Sequence, residues 1–329
     1  MKILYAIQGT GNGHLARAED IVPELKRYGD IDILVSGAQA DILLSYKVKY
    51  KSKGLSFYFG KNGGVDLVKT FRKNKSKAIY KEVKKFPVED YDVVINDFEP
   101  ITAWACRRGH VPCIALSHQS ALLSPKCPTP RSFDIVGDWI LKNYAPADAH
   151  VGFHFANFDE NIFTPVIRKR VRDAAVSDNG HYTVYLPAYD DKKLVPILSR
   201  LANMKWHVFS KHSKKAYRTG EVSVYPVNNE DFTASMASSR GVLCGAGFET
   251  PAEALYLKKK LMVVPMKGQY EQHYNAAALM QMGVPVLKKV KKKNIEKIIE
   301  WAESPAKIEV NYDDVTHEAV KRAMNFLHQ

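Results

Sequence analysis

Short apolar runs alternate with longer stretches of helical periodicity along most of this chain, and that alternation restricts the fold more than any other feature. A strand buried on both faces reads as a continuous apolar run. The helix that returns the chain to the same edge of a parallel sheet reads as an amphipathic period. In the first half the strand-like runs are 2–7, 32–36, 55–58, 92–96, 113–117 and 150–154, with helical periods at 15–28, 65–86, 101–108 and 133–144. The pattern breaks between Thr164 and Gly180, where a Pro-marked charged segment meets the turn-forming Ser177, Asp178, Asn179 and Gly180. It then restarts, with strands expected at 181–186, 205–209, 222–225, 241–244 and 261–264 and helices at 192–202, 232–239, 250–257, 273–282 and 294–303. A last helical period covers 313–327. The expectation is an α/β chain of two Rossmann-like doubly wound domains, 1–165 and 177–312, with an inter-domain cleft and a terminal helix, 313–329, packing back on the first domain.

In such sheets ligands bind beyond the carboxyl ends of the strands, so the turns at those ends are where site residues are expected. The first strand runs into Gly9, Thr10, Gly11, Asn12, Gly13 and His14. Gly11 and Gly13 allow backbone to approach a ligand closely, and a helix start offers unpaired N–H donors and partial positive charge. A neutral imidazole at His14 is suited to general-base work. The alternative is a plain helix-start residue. The spacing is not that of the dinucleotide fingerprint, and the second strand ends in Val35, Ser36 and Gly37 where a ribose-binding acid is expected. NAD binding at this turn is therefore disfavoured. On the same rim, Asp97 closes the fourth run and is a candidate to orient His14; its alternative role is a cap for the helix beginning near Pro100. His118 and Gln119, after the next run, are the acceptor-binding candidates.

The second half repeats the design. Cys244 leads into Gly245, Ala246, Gly247 and Phe248, and then into a helix carrying Glu253 one turn inside. Free backbone N–H groups at a helix N-terminus suit a diphosphate. A carboxylate at that depth suits the two hydroxyls of a ribose, although acids also favour helix starts for dipole reasons alone. Beyond Pro265 a polar loop with Gln269, Glu271 and Gln272 offers groups for reading sugar hydroxyls.

Composition narrows the classes. At 46% hydrophobic and 25% charged residues, the 329-residue chain can bury a large core. No apolar run approaches the ~20 residues of a membrane span, and the N-terminus reads as a strand rather than a signal segment. Cys106, Cys113, Cys127 and Cys244 have neither metal nor disulfide spacing. A reducing cytoplasm is expected. Net charge is +13, and 13 Lys and Arg against five Asp and Glu between Asp41 and Asp90 give that span +8. Lys288, Lys289, Lys291, Lys292 and Lys293 form a second cluster. Such patches attract anionic membrane or nucleic acid, or are simply solvated. No nucleic-acid motif accompanies them.

Taken together, the opening turn, Pro165–Arg168, Phe232 with Met236, 245–253, and Glu271, Gln272, Asn275 and Ala276 resemble the GT-B-fold glycosyltransferases. The pattern is close to the UDP-N-acetylglucosamine transferase of peptidoglycan precursor synthesis and its uncharacterised relatives. The resemblance implies sugar transfer from a nucleotide-sugar, UDP-linked donor to an acceptor hydroxyl, lipid-linked or of the cell envelope. No cofactor beyond that donor, no metal and no nucleic-acid partner is implied, and no Asp-x-Asp pair stands ready for a cation on the diphosphate. It gives His14 the role of base and Glu253 that of ribose ligand. Gly245, Ala246, Gly247 and Phe248 face the donor phosphates, Glu271 and Gln272 the donor sugar, and Phe232 the base. Arg168 stabilises the leaving diphosphate, and Asp97 steadies His14. Two departures stand out. Glu271 falls where the peptidoglycan enzyme has glutamine, and Leu186, Pro187, Ala188 and Tyr189 replace a glycine-serine phosphate loop. The rival readings are a UDP-sugar 2-epimerase and, lower, a non-catalytic nucleic-acid-binding protein. The expected location is the cytoplasm, at the inner face of a membrane if the basic span rests there.

Overall fold

A computed structural model describes residues 1–9, 12–37, 44–53, 76–130, 135–201 and 203–328. They form two compact units: Met1–Cys127 with Arg131–Arg168 and Tyr312–Gln329, and Lys169–Asn311 with Pro128–Pro130.

The first unit holds a seven-stranded sheet in the order β3-β2-β1-β4-β5-β6-β7. The strands are β1 Lys2–Gln8, β2 Asp30–Ser36, β3 Tyr50–Ser52, β4 Val93–Asp97, β5 Cys113–Ser117, β6 Ala149–Phe153 and β7 Ile162–Phe163. All its described pairings are parallel. Helices α1 Asn12–Leu25, α2 Ser76–Lys85, α3 Pro100–Gly109, α4 His118–Ala121 and α5 Ile135–Asn143 connect them. Ile3, Leu4, Tyr5, Ala6 and Ile7 are all fully buried, as a central strand covered on both faces requires. The strand expected at 55–58 lies outside the described residues, as does the first part of the helix expected at 65–86. β7 was not expected; two residues are too few to show a period.

The second unit has a six-stranded sheet, β10-β11-β9-β8-β12-β13. It comprises β8 His181–Tyr185, β9 Lys205–Ser210, β10 Tyr217–Thr219, β11 Val222–Pro226, β12 Gly241–Gly245 and β13 Lys260–Val264. β10 pairs antiparallel and the others parallel. Its helices are α6 Lys169–Arg172, α7 Asp191–Leu198, α8 Asn229–Ala237, α9 Glu249–Tyr256, α10 Tyr270–Gln281 and α11 Ile295–Glu303. Trp206, Tyr182 and Trp301 anchor the core on one face, with ring centroids 5.1 and 5.3 Å from Tyr182. α12 Thr316–Asn325 belongs to the first unit. There the Tyr312 hydroxyl donates to the Phe155 carbonyl at 2.9 Å and Arg322 donates to Asn161 at 2.6 Å.

Three helices begin earlier than their periodicity suggests, because polar residues supply the first turn. α1 starts at Asn12 rather than Leu15, which puts Gly13 and His14 inside it. α8 starts at Asn229, after Asn228 accepts from the Asp231 N–H at 2.8 Å. α10 starts at Tyr270, so Glu271 and Gln272, expected on a loop, lie in its first turn.

Beneath α8, the rings of His181 and His207 stack at 3.9 Å. The Ser235 hydroxyl lies 3.2 Å from a nitrogen of each ring and 2.8 Å from the Thr183 hydroxyl. Burial, with His181 alongside, pushes His207 down to about 4, and burial lowers His181 as well. Both folded values lie below the ~6.5 of an unfolded histidine. The unfolded chain therefore binds more protons between those values. The stability present above pH ~6.5 is lost as pH falls towards 4. Urea unfolding of the second unit's signal at pH 7 and pH 4.5 should show wild type losing roughly 2 kcal/mol more than His207→Asn, a figure discounted for partial exposure. Equal losses would refute the assignment.

Candidate active-site residues

In the first unit, β1, β4 and β5 end side by side, which is why residues far apart in sequence meet. The turn after β1 is tight. A Cβ at Gly9 would lie 2.8 Å from the Ser36 carbonyl oxygen and 2.9 Å from Val35, closer than any side chain tolerates. Gly11 lies outside the described residues. His14 and Asp97 meet: Nδ1 lies 2.8 Å from Asp97 Oδ1, with the His14 side chain 14% exposed and Asp97 fully buried. A carboxylate only accepts, so Nδ1 carries a proton, and in the neutral ring the lone pair is then on Nε2. This is the tautomer a general base needs.

Arg17, unremarked in the sequence, completes the group. It lies one turn after His14 on α1, is buried, and donates to both Asp97 oxygens at 2.8 Å. Burial opposes ionisation of Asp97, but the charges of Arg17 and His14 and their hydrogen bonds outweigh it and hold the carboxyl below its usual range. With Arg17 taking much of its charge, Asp97 orients the imidazole more than it polarises it. The i, i+3 spacing of His14 and Arg17 was the available signal.

Asp97 does not cap the next helix. Glu99 does so, accepting from the Ile101 and Thr102 N–H groups at 2.9 and 2.7 Å. Asn96 bonds both the N–H and the carbonyl of Glu99 at 2.8 Å. This brace holds Phe98 in a left-handed conformation, φ 56°, and fixes the end of β4. His118 and Gln119, read as acceptor contacts, lie in α4 and are 1% and 5% exposed. The His118 ring is 2.8 Å from the Phe153 carbonyl and edge-on to His154. Both are buried where α4 packs against β6, and Gln119 lines a small pocket with Asn96, Phe98 and Ser117. Arg168 ends the first unit and is half-buried.

In the second unit, β12 hands over to α9 through Gly245, Ala246, Gly247 and Phe248. A Cβ on Gly247 would meet nothing within 4 Å, so nothing in the fold itself demands glycine there. Ala246 and Phe248 are buried and anchor the turn. Asn275, fully buried on α10, donates to the Ala246 carbonyl at 3.1 Å and ties the turn to the neighbouring helix. Gln272 lies one turn earlier on α10 and accepts from the Met266 N–H at 2.9 Å, so its carbonyl oxygen shapes the β13–α10 loop. Glu271 beside it is half-buried. Glu253 is 2% exposed inside α9. Phe232 packs with Tyr185 and Phe209, centroids 5.3 and 5.2 Å away, beyond the ends of β8 and β9. At the loop after β8, the Tyr189 hydroxyl accepts from the Val290 N–H at 3.2 Å. Among the described residues no group of three or more His, Cys, Asp or Glu is placed to hold a metal ion.

The sequence matches the family model described as "Glycosyl transferase family 1" over residues 1–302. The chain belongs to glycosyl transferase family 1. No curated protein matches it. Among solved structures, this transferase is similar to the spinosyn forosaminyltransferase SpnP, with a TM-score of 0.64, 10% identity and all of both chains covered. It is similar to MurG of Acinetobacter baumannii, with a TM-score of 0.59 and 14% identity over 98% of this chain and 99% of that one. A UDP-N-acetylglucosamine 2-epimerase gives a TM-score of 0.58 and 13% identity over 100% and 96%. At such identities these likenesses establish the GT-B architecture, two Rossmann-like domains, and leave the substrate to the site. The family makes the chain a nucleotide-sugar-dependent glycosyltransferase.

Proposed function

We propose that this transferase moves a sugar from a UDP-linked donor to an acceptor hydroxyl without a metal ion, using His14 as base. The observation that carries the reading is the 2.8 Å contact of His14 Nδ1 with buried Asp97, the arrangement of a base and the carboxylate that orients it. The turn 245–248 at the start of α9 holds the donor diphosphate, and its N–H groups with Arg168 stabilise the leaving charge. Glu253 accepts from the ribose hydroxyls. Phe232 backs the base. Glu271 and the amide nitrogen of Gln272 meet the donor sugar, and Gly11 and Gly13 are further donor-binding candidates. His118 and Gln119 act behind the acceptor, through the packing of α4.

The +8 charge of 41–90 supports an acceptor that is lipid-linked and presented at an anionic bilayer. No helix among the described residues is long and apolar enough to cross a membrane. Surface attachment would show as flotation with anionic but not neutral liposomes, and absence from both would remove the idea.

Transfer and donor stability are read on a panel of nucleotide sugars, with and without acceptor extracts. A donor left intact without acceptor and consumed with it supports transfer; epimerisation of the donor alone supports the 2-epimerase instead. Gly247→Ala separates fold from function. The space around Gly247 predicts an unchanged Tm. A methyl group where the diphosphate approaches should weaken UDP binding, read calorimetrically, about tenfold, or ~1.4 kcal/mol. Unaltered UDP affinity would place the diphosphate elsewhere.

A further inference from the structure

At the amino ends of β8, β12 and β13, opposite the donor turn, the second unit contains a cavity of about 820 Å³. Arg240, Lys258, Lys259, Lys260 and Lys307 line it, with Asp178 and Glu303 as its carboxylates. Asp178 is engaged by Arg240 at 3.3 Å. Lys259 is only 5% exposed, and its ammonium donates to the Ser177 carbonyl at 2.7 Å rather than to a carboxylate. Lys260 does the same to the Ala302 carbonyl at 2.7 Å. Each ammonium carries three donors, so each retains two for a ligand. The negative end of α9 favours the three adjacent lysines. Arg240 and Lys307 come from other segments and owe nothing to that helix. Burial pushes both amines below the usual lysine range, for Lys260 with the nearby charges of Arg240 and Lys307 adding to it. An anion would relieve that crowding of like charge.

We infer that this cavity is a second ligand site, for a small molecule bearing two or more phosphate groups. It is separate from the donor turn: β12 starts at Gly241, next to Arg240 of the cavity, and ends at the turn at Gly245, a span of about 13 Å at ~3.3 Å per residue. The site lies wholly within the second unit, and its occupation does not depend on the reading of the reaction.

The test uses the full chain and tripolyphosphate as probe. Lysine acylation by acetic anhydride is mapped by mass spectrometry with and without it. Lys258 and Lys307, both exposed, should be protected at least fivefold, and Lys288 and Lys291 unaffected. Calorimetric affinity should fall at least tenfold in Arg240→Gln/Lys307→Gln and measurably in Lys307→Gln, whose exposed side chain the fold does not use. Lys288→Gln/Lys291→Gln should bind as the parent does. Protection confined to Lys267, beside the donor loop, or equal affinity in the cavity variants, would overturn the site.

Discussion

His14→Ala is expected to lower kcat by roughly 10²- to 10⁴-fold, the usual contribution of a positioned base, and to leave Tm within a degree or two. The second half of that expectation follows from the contacts. His14 is partly exposed and its ring gives Asp97 one hydrogen bond, whereas Arg17 gives two. Without the imidazole, Asp97 remains paired, and no buried charge is orphaned. Donor affinity, read as UDP binding, should not change, since the turn 245–248 belongs to the other unit. The loss therefore falls on kcat and not on donor KM. If kcat survived, His14 would be a helix-start residue that happens to touch Asp97, and the base would have to be sought elsewhere.

Much of this was legible in the sequence because period and turn chemistry are local. The alternation of apolar runs with helical periods marks two mostly parallel sheets, and glycine turns mark the strand ends where ligand contacts are proposed. Both are properties of short stretches. What escaped is what arises when distant stretches meet. Arg17 looks like a solvated helix residue until β4 brings Asp97 against α1. The burial of His118 depends on the partner strand β6. Glu271 and Gln272, in a stretch whose polarity reads as loop, lie in the first turn of α10, where Gln272 also reaches back to the Met266 N–H. Lys258, Lys259 and Lys260 are neighbours in sequence, and only the fold brings Arg240 and Lys307 to them around one cavity.

Arg17→Met should cost more stability than His14→Ala. Arg17 is the buried cation that offsets the burial of Asp97. Removing one member of a buried pair costs roughly 3–5 kcal/mol. For a unit of this size that lowers Tm by roughly 10 °C. The sign of the pH dependence follows. In wild type the folded carboxyl lies below its unfolded value, so its stabilisation is complete above pH ~4 and is lost as pH falls through the lower folded value. Without Arg17, burial raises the folded value above the unfolded one and the sign reverses: the carboxyl's contribution is complete below pH ~4 and is lost as pH rises through the raised folded value. The companion variant Arg17→Met/Asp97→Leu removes both charges, and replacing a buried ion pair by apolar groups is often close to neutral. It should recover most of the Tm and none of the kcat, because nothing then fixes the proton on Nδ1 of His14. Recovery of activity along with stability would show that the pair only holds the fold. Stability without activity would make Asp97 and Arg17 positioning residues for the His14 imidazole.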